Sequence, residues 1–309
     1  MAALVTRLGI PLLLVGVAWC IASRQNSYAK ELTQPTDQAF AHYVQLTEAR
    51  IQTELSDPRQ FLYSYSLPEK ERNAVQAYLL GGHVIIEPMV TRENGRVIHI
   101  PDGMVHHWLA IGFIPGVTRD QAIALAQNYA RYAELYAPDV QRAEILSREN
   151  QSFEVYYRFY RHALVTVVYN TRFTADFFTL DASRGYSFAR STRIAEVENP
   201  GKDNEREFPV GNDHGYLWRL NLYTRYLERD NGVYIQIEFL GLSRSVPPVF
   251  AWLVNPYTRS VPTDYLTHYL VATRKALQEA SAATQRTILP RSSLSARKSK
   301  TVVRFIKPA

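Results

Sequence analysis

Six segments between residues 140 and 242 are rich in Val, Ile, Thr, Tyr and Phe, with no clear helical pattern among them. These residue types suit a pleated, half-buried surface. The segments 140–146, 152–160, 163–178, 186–197, 217–229 and 233–242 are therefore expected strands. Glu149-Asn150, Asp181 to Gly185 and Asp230-Asn231-Gly232 fit hairpin turns between them, and the charged, Gly- and Pro-containing stretch 199–207 reads as a long exposed hairpin tip. Strands joined by successive hairpins form one large antiparallel sheet. No repeat of 20–50 residues is evident, which argues against a solenoid or propeller.

Strand parity assigns the faces. Ile235, Ile237 and Phe239 share a face opposite Tyr234, Gln236 and Glu238, and Trp218, Leu220 and Leu222 oppose Arg219, Asn221 and Tyr223. One apolar and one wet face are expected. Ahead of this tract, 83–87, 96–100 and 103–112 read as further strands, with a turn at Glu93-Asn94-Gly95. Thr118 and Gln121 supply a capping box, after which Leu125, Tyr129, Tyr132 and Tyr136 share a helical face that Pro138 ends.

The flanks are helical. Phe40, Tyr43, Val44, Thr47, Ile51 and Leu55 make one stripe on a helix starting near Thr36. A second helix is expected from a Ser66-to-Glu69 capping box to Gly81-Gly82, giving an N-terminal helical hairpin over 36–82 that covers one side of the main domain. At the other end a short helical segment, 247–255, precedes a longer helix opening near Pro262. Leu266, Leu270, Thr273, Leu277 and Ala280 form its stripe, with Tyr265, Tyr269 and Ala276 beside it. The expected class is α+β: a curved antiparallel sheet closed by a long C-terminal helix.

With Leu240 to Pro247 leading into Trp252 to Pro256, and a last helix ending in Ala272 to Leu277, the chain resembles the START-like helix-grip superfamily, also called SRPBCC, whose members include polyketide cyclase-like proteins. The resemblance covers residues 83–283 and is most evident over 232–277. It implies a sheet gripping the final helix around a hydrophobic pocket for a lipid, polyketide or other apolar molecule. No invariant catalytic motif defines the superfamily, so the resemblance transfers no catalytic residue and no cofactor.

Parity proposes the pocket wall as Tyr157, Phe159, Val167, Tyr169, Trp218, Leu220, Ile235 and Ile237, closed by Tyr265 and Tyr269. A hydrophobic small molecule or lipid, held there without being transformed, is the leading expectation. The alternative is a cyclase- or hydrolase-type enzyme with His107 or a pocket tyrosine as acid or base. His106 and His107 point to opposite faces of a strand, and with His99 nearby they lack a third ligand at metal spacing. Gly241-Leu242-Ser243 is followed by Arg244 where a nucleophile elbow needs x-Gly. Asp213-His214 lies in a Gly-rich turn. Arg244 is expected to anchor its loop. Most of the 20 tyrosines are expected to pack with their hydroxyls at a wet edge. Phosphate-binding, calcium and dinucleotide motifs are absent from the sequence.

The ends bear on location. Arg7 precedes an apolar run over 8–21, with small residues around Ser23, the pattern of a secretory signal over residues 1–22. The run is shorter than the roughly 20 residues that span a bilayer, although an uncleaved anchor is the rival. Cys20 is the chain's one cysteine, so disulfides and thiolate chemistry drop out once the leader is removed. An exported protein, periplasmic or extracellular, is expected. The net charge of +6 resides in the tail, because seven Lys and Arg follow the last acidic residue, Glu279, and leave the rest at −1. This disfavours nucleic acid. Residues 284–309 read as a disordered basic extension, either solubilising or attracted to anionic lipid headgroups. If the pocket is vestigial, the third reading is an envelope interaction protein working through that tail.

Overall fold

The computed structural model describes residues 30–162, 165–246 and 248–288, without the side chains of Lys30, 248–261 and 283–288. The expected signal segment 1–22 lies outside the described residues, as does the basic tail from 289 onward. The main sheet contains β1 (Ile85–Pro88), β2 (Gly103–Pro115), β3 (Val140–Glu149), β4 (Ser152–His162), β5 (Thr166–Thr179), β6 (Arg184–Glu198), β7 (Arg219–Arg229) and β8 (Gly232–Arg244). Its spatial order is β1-β2-β8-β7-β6-β5-β4-β3, antiparallel throughout, and Arg206–Glu207 from the 199–207 tip adds to β6. The two-residue turn between β7 and β8 places both Asp230 and Asn231 at positive φ, the geometry that follows strand twist in a tight hairpin. Gly232, next in line, has no room for a side chain, because a Cβ there would collide with the Ile114 carbonyl.

The helices are α1 (Gln34–Ser56), α2 (Glu69–Leu80), α3 (Arg119–Ala126), α4 (Tyr132–Leu135) and α5 (Pro248–Ile288). The Thr118–Gln121 capping box opens α3 as expected, but the helix stops at Ala126. A 3-10 turn, Tyr129–Arg131, then leads into α4, so the tyrosine stripe rides on three short pieces. The Ser66 capping box does not form. Ser66 ends a 3-10 turn, Tyr63–Ser66, where its hydroxyl donates to the Tyr63 carbonyl at 2.8 Å, and Pro68 caps α2 without a side-chain bond. The expected strand 96–100 shrinks to Arg96–Val97, paired with Arg92–Glu93 across a turn at Asn94-Gly95.

Helix α5 is continuous over 41 residues, about 60 Å, and runs through both Pro256 and Pro262, where the sequence suggested a break. Each proline lacks an N–H and so removes one helical hydrogen bond. Packing of Leu266, Leu270 and Leu277 with Ile235, Ile237 and Val233 supplies the tertiary term that local propensity omits. The sheet closes over its last helix, which is the helix-grip arrangement. Among the described residues no helix is long and apolar enough to cross a membrane.

The opposite face of the sheet is not wet. Phe40, Tyr43, Ile51 and Leu55 of α1 pack there with Leu109, Ile111, Tyr223, Tyr234, Leu240 and Leu242. The polar positions Gln236, Glu238 and Arg225 are consequently buried. Buried charge is tolerated when it is paired and hydrogen-bonded. Arg225 donates to the Phe61 carbonyl at 2.8 Å and to Glu54, Arg50 bridges Glu54 and Glu238, and Gln236 accepts the Tyr63 N–H at 2.7 Å. The alternation was a true sign of two faces, but α1 converts the second face into another core.

A candidate ligand cavity between the sheet and the last helix

A cavity of about 70 Å³ lies between α5 and the inner face of the sheet. Alternation brings Tyr157 and Phe159 inward from β4 and Thr224 and Tyr226 from β7, while Ile237 comes from β8. Tyr129, Tyr132 and Tyr136 enter from the segment around α4. Tyr265 and Tyr269, one helical turn apart, close it from α5 together with Leu266.

Aromatic rings fill most of the space. Tyr157 stacks on Phe159 with centroids 5.1 Å apart, Tyr136 stacks on Tyr269 at 4.7 Å, and Tyr132 meets Tyr136 edge-on at 4.9 Å. Two hydroxyls are used structurally: Tyr132 donates to the Ala126 carbonyl at 2.6 Å, and Tyr136 bonds the Thr273 hydroxyl at 3.0 Å. The Tyr129, Tyr157 and Tyr265 hydroxyls have no hydrogen-bond partner among the described residues. Burial raises the Tyr129, Tyr132, Tyr136, Tyr157 and Tyr265 phenols above their ordinary range, so they are neutral donors at pH 7. No carboxylate, imidazole or amine is among the lining side chains. Such a space can hold an apolar body and offer it phenolic hydrogen bonds; it supplies neither a base nor a charge.

Of the residues expected at the wall, Tyr157, Phe159, Ile237, Tyr265 and Tyr269 line the cavity. Ile235 is buried in the core on the same side, and Tyr169, Leu220 and Val167 pack in an adjoining cluster with Phe173. Trp218 lies on the α1 side, packed with the outer core, and its indole N–H donates to Asp213 at 3.2 Å. It precedes the first residue of β7, so strand alternation does not govern it. His107 also faces α1, away from the cavity, between Tyr43 and Glu238. The sequence reading missed Tyr129, Tyr132, Tyr136 and Tyr226; the spacing of the first three was visible, but was assigned to ordinary helix packing.

The remaining chemical candidates make structural bonds, although the second carboxylate oxygen of Asp213 is buried without a hydrogen-bond partner among the described residues. His106 Nε2 lies 2.8 Å from the Ser243 hydroxyl, which itself donates to the Arg244 carbonyl at 3.1 Å. Ser243 therefore accepts from the imidazole, the reverse of nucleophile activation. Burial lowers His106 to about 4. Asp213 accepts the Gly215 N–H at 2.7 Å, and His214 bonds Glu196 at 2.6 Å. Among the described residues no cluster of three or more metal-ligating side chains occurs.

No family model matches the chain, and no curated protein matches it. Among solved structures it is similar to human StAR-related lipid transfer protein 5, at 11% identity and a TM-score of 0.40, over 79% of this chain and 99% of that one. It is similar to a STAR-related lipid transfer protein fragment from Xanthomonas axonopodis, at 14% identity and a TM-score of 0.37, over 62% and 98%. The Zhui aromatase/cyclase from Streptomyces sp. R1128 aligns at 14% identity and a TM-score of 0.35, over 60% and 97%. Likeness at this level decides neither ligand nor activity.

Proposed function

We propose that this protein binds a hydrophobic small molecule or lipid between its sheet and α5 without transforming it. The observation that carries the reading is an apolar, aromatic enclosure at the sheet–helix seam, lined by phenolic hydroxyls without partners and by no ionisable base. Ligand pockets typically occupy roughly 300–1,000 Å³, so about 70 Å³ takes little more than a few waters. A larger guest therefore requires Tyr265, Leu266 and Tyr269 to move outward with α5. The titratable groups that line the cavity are tyrosine phenols that burial keeps protonated, able to donate a proton but not to take one at pH 7, which places binding ahead of catalysis. The apolar run 8–21 behind Arg7 supports export as part of the same proposal.

Native mass spectrometry of the full chain, as isolated and after titration with cis-parinaric acid, tests the reading. One apolar molecule per chain is expected, together with quenching of the cavity tyrosines. Protein that is empty on isolation and takes up no probe at any concentration would refute it. N-terminal sequencing of the exported fraction checks the leader, and its absence from that fraction counts against export.

A further inference from the structure

The two edges of the main sheet are unlike. The β1 edge is four residues long and ends in Pro88, which cannot donate to a further strand. At the other edge β3 runs for ten residues, and among the described strands it pairs with β4 alone, so its outer row of backbone N–H and C=O groups faces away from the sheet. In the middle of this free edge Ile145 and Leu146 are 45% and 44% exposed, where an edge strand ordinarily carries charge.

The register with β4 fixes which way each side chain of β3 points. Ala143, Ile145 and Arg148 stand opposite Tyr157, Val155 and Phe153, which pack in the core on the α5 side. Arg142, Glu144, Ser147 and Glu149 stand opposite Arg158, Tyr156, Glu154 and Ser152, on the other face. Leu146 is the extra residue of a bulge between Ile145 and Ser147, so Ile145 and Leu146 together count as one step of the alternation. The strand is therefore symmetric about its bulge: Glu144 and Ser147 share a face, Ala143 and Arg148 share the other, and Arg142 and Glu149 share the first again. A reversed copy of β3 laid alongside, bulge against bulge, keeps every facing pair on one face, as a two-fold axis through the edge requires. It sets Arg142 against the partner's Glu149 and Glu149 against the partner's Arg142, while Ile145 and Leu146 meet their own counterparts at the centre. Within one chain Arg142 bonds Glu144 at 2.6 Å, and Glu149 has no ion-pair partner among the described residues. A foreign strand would have to match both this bulge and this order of charges; a second copy matches them by identity.

We propose that the β3 edge is a self-association surface, on which a second copy of this chain adds its own β3 antiparallel and extends the sheet across a two-fold axis. Backbone hydrogen bonds between the edges hold the pair, Ile145 and Leu146 lose their exposed apolar surface, and the two Arg142–Glu149 pairs fix the register. A contact built on one pair of strands falls at the small end of the interface range, so the dimer is a dissociable one. This assembly goes beyond ligand binding under α5 and does not depend on it.

Sedimentation velocity of the full chain over a series from about 1 μM to about 1 mM provides the test, since weak specific contacts dissociate within that span. A monomer–dimer equilibrium is expected. Glu149→Arg sets like charges against each other at both symmetry-related places and should weaken the dimer about thirtyfold, and Arg142→Glu should do the same. Both positions are exposed, so the fold is preserved, which circular dichroism checks. Mixed in equal amounts, the two variants should form a heterodimer about as tight as the unmodified homodimer, because each then meets opposite charge at both places. A chain that stays monomeric throughout the series, or a mixture that associates no better than either variant alone, overturns the proposal.

Discussion

Leu266 is the side chain whose truncation best probes how α5 closes the sheet. It is fully buried and lines the 70 Å³ cavity. Leu266→Ala removes three carbons, about 2.4 kcal/mol at roughly 0.8 kcal/mol per buried methylene. A further cost arises from the enlarged void, but the native side chain already borders empty space and so loses fewer contacts than one in a filled core. The expected total is about 3 kcal/mol, within what a domain stable by roughly 5–15 kcal/mol survives. Urea unfolding followed by circular dichroism measures it. The deleted carbons join the existing space, so the variant should bind toluene more tightly than the unmodified protein, in which α5 must first move outward. At ten times its dissociation constant the ligand should then restore about 1.4 kcal/mol. A loss under about 1 kcal/mol would show that α5 is not seated on the sheet at this residue. A full loss with no toluene-dependent recovery would show that the helix collapses into the gap and that the cavity is not a binding space.

Two further perturbations address the outer face and the Asp213 loop. Arg225→Met leaves the Phe61 carbonyl without its partner, while Glu54 keeps Arg50, so the expected cost is about 3 kcal/mol, the low end for breaking a buried pair; urea unfolding that moves by less than about 1 kcal/mol contradicts the α1 packing. Asp213 is pushed up to about 6 by burial, reinforced by the Glu196 charge against the opposing Gly215 and Trp218 hydrogen bonds. Its folded value exceeds the unfolded one of about 3.9, so the folded state holds this proton more tightly. Its stabilising contribution is complete below about pH 4 and is lost as pH rises through 6. Asp213→Asn should remove that dependence and be more stable at pH 7.5 by on the order of 2 kcal/mol. Unfolding curves from pH 4 to 8 decide it, and a variant less stable than the parent at pH 7.5 rules the account out.

What the sequence made legible follows from which forces act locally. The β5–β6 and β7–β8 hairpins could be read because Asp181 to Gly185 and Asp230-Asn231 carry their turn chemistry within a few residues, and because alternation at 233–239 is a property of the strand itself. Thr118 and Gln121 were legible for the same reason. Ser66 was not: its capping pattern is present, but the chain around it turns as a 3-10 segment whose Tyr63 N–H is fixed by Gln236, 173 residues away. The continuity of α5 through Pro256 and Pro262 runs against the local propensity of proline, and no window around those prolines announces it.

The sites obey the same division, with one further step. Parity correctly paired Tyr157 with Phe159, because both sit on one strand and the register cannot slip without moving the whole set. It misplaced Trp218, one residue before β7, where alternation has no hold. His107 shows the larger omission. Its position opposite His106 was correctly deduced, but the functional argument assumed that a polar side chain must either enter the inner pocket or face water. The helix α1 creates a third environment, in which Glu238 is buried yet held below the usual carboxylate value by the His107 bond and the Arg50 and Arg225 charges, and His107 is enclosed between Glu238 and Tyr43. Glu238, Gln236 and Arg225 at alternate, apparently solvent-facing positions were the available signal. Three long polar side chains opposite a helix carrying Arg50 and Glu54 are as compatible with a charged seam between two layers as with an exposed face, and the apolar stripe on α1 needed a surface to cover.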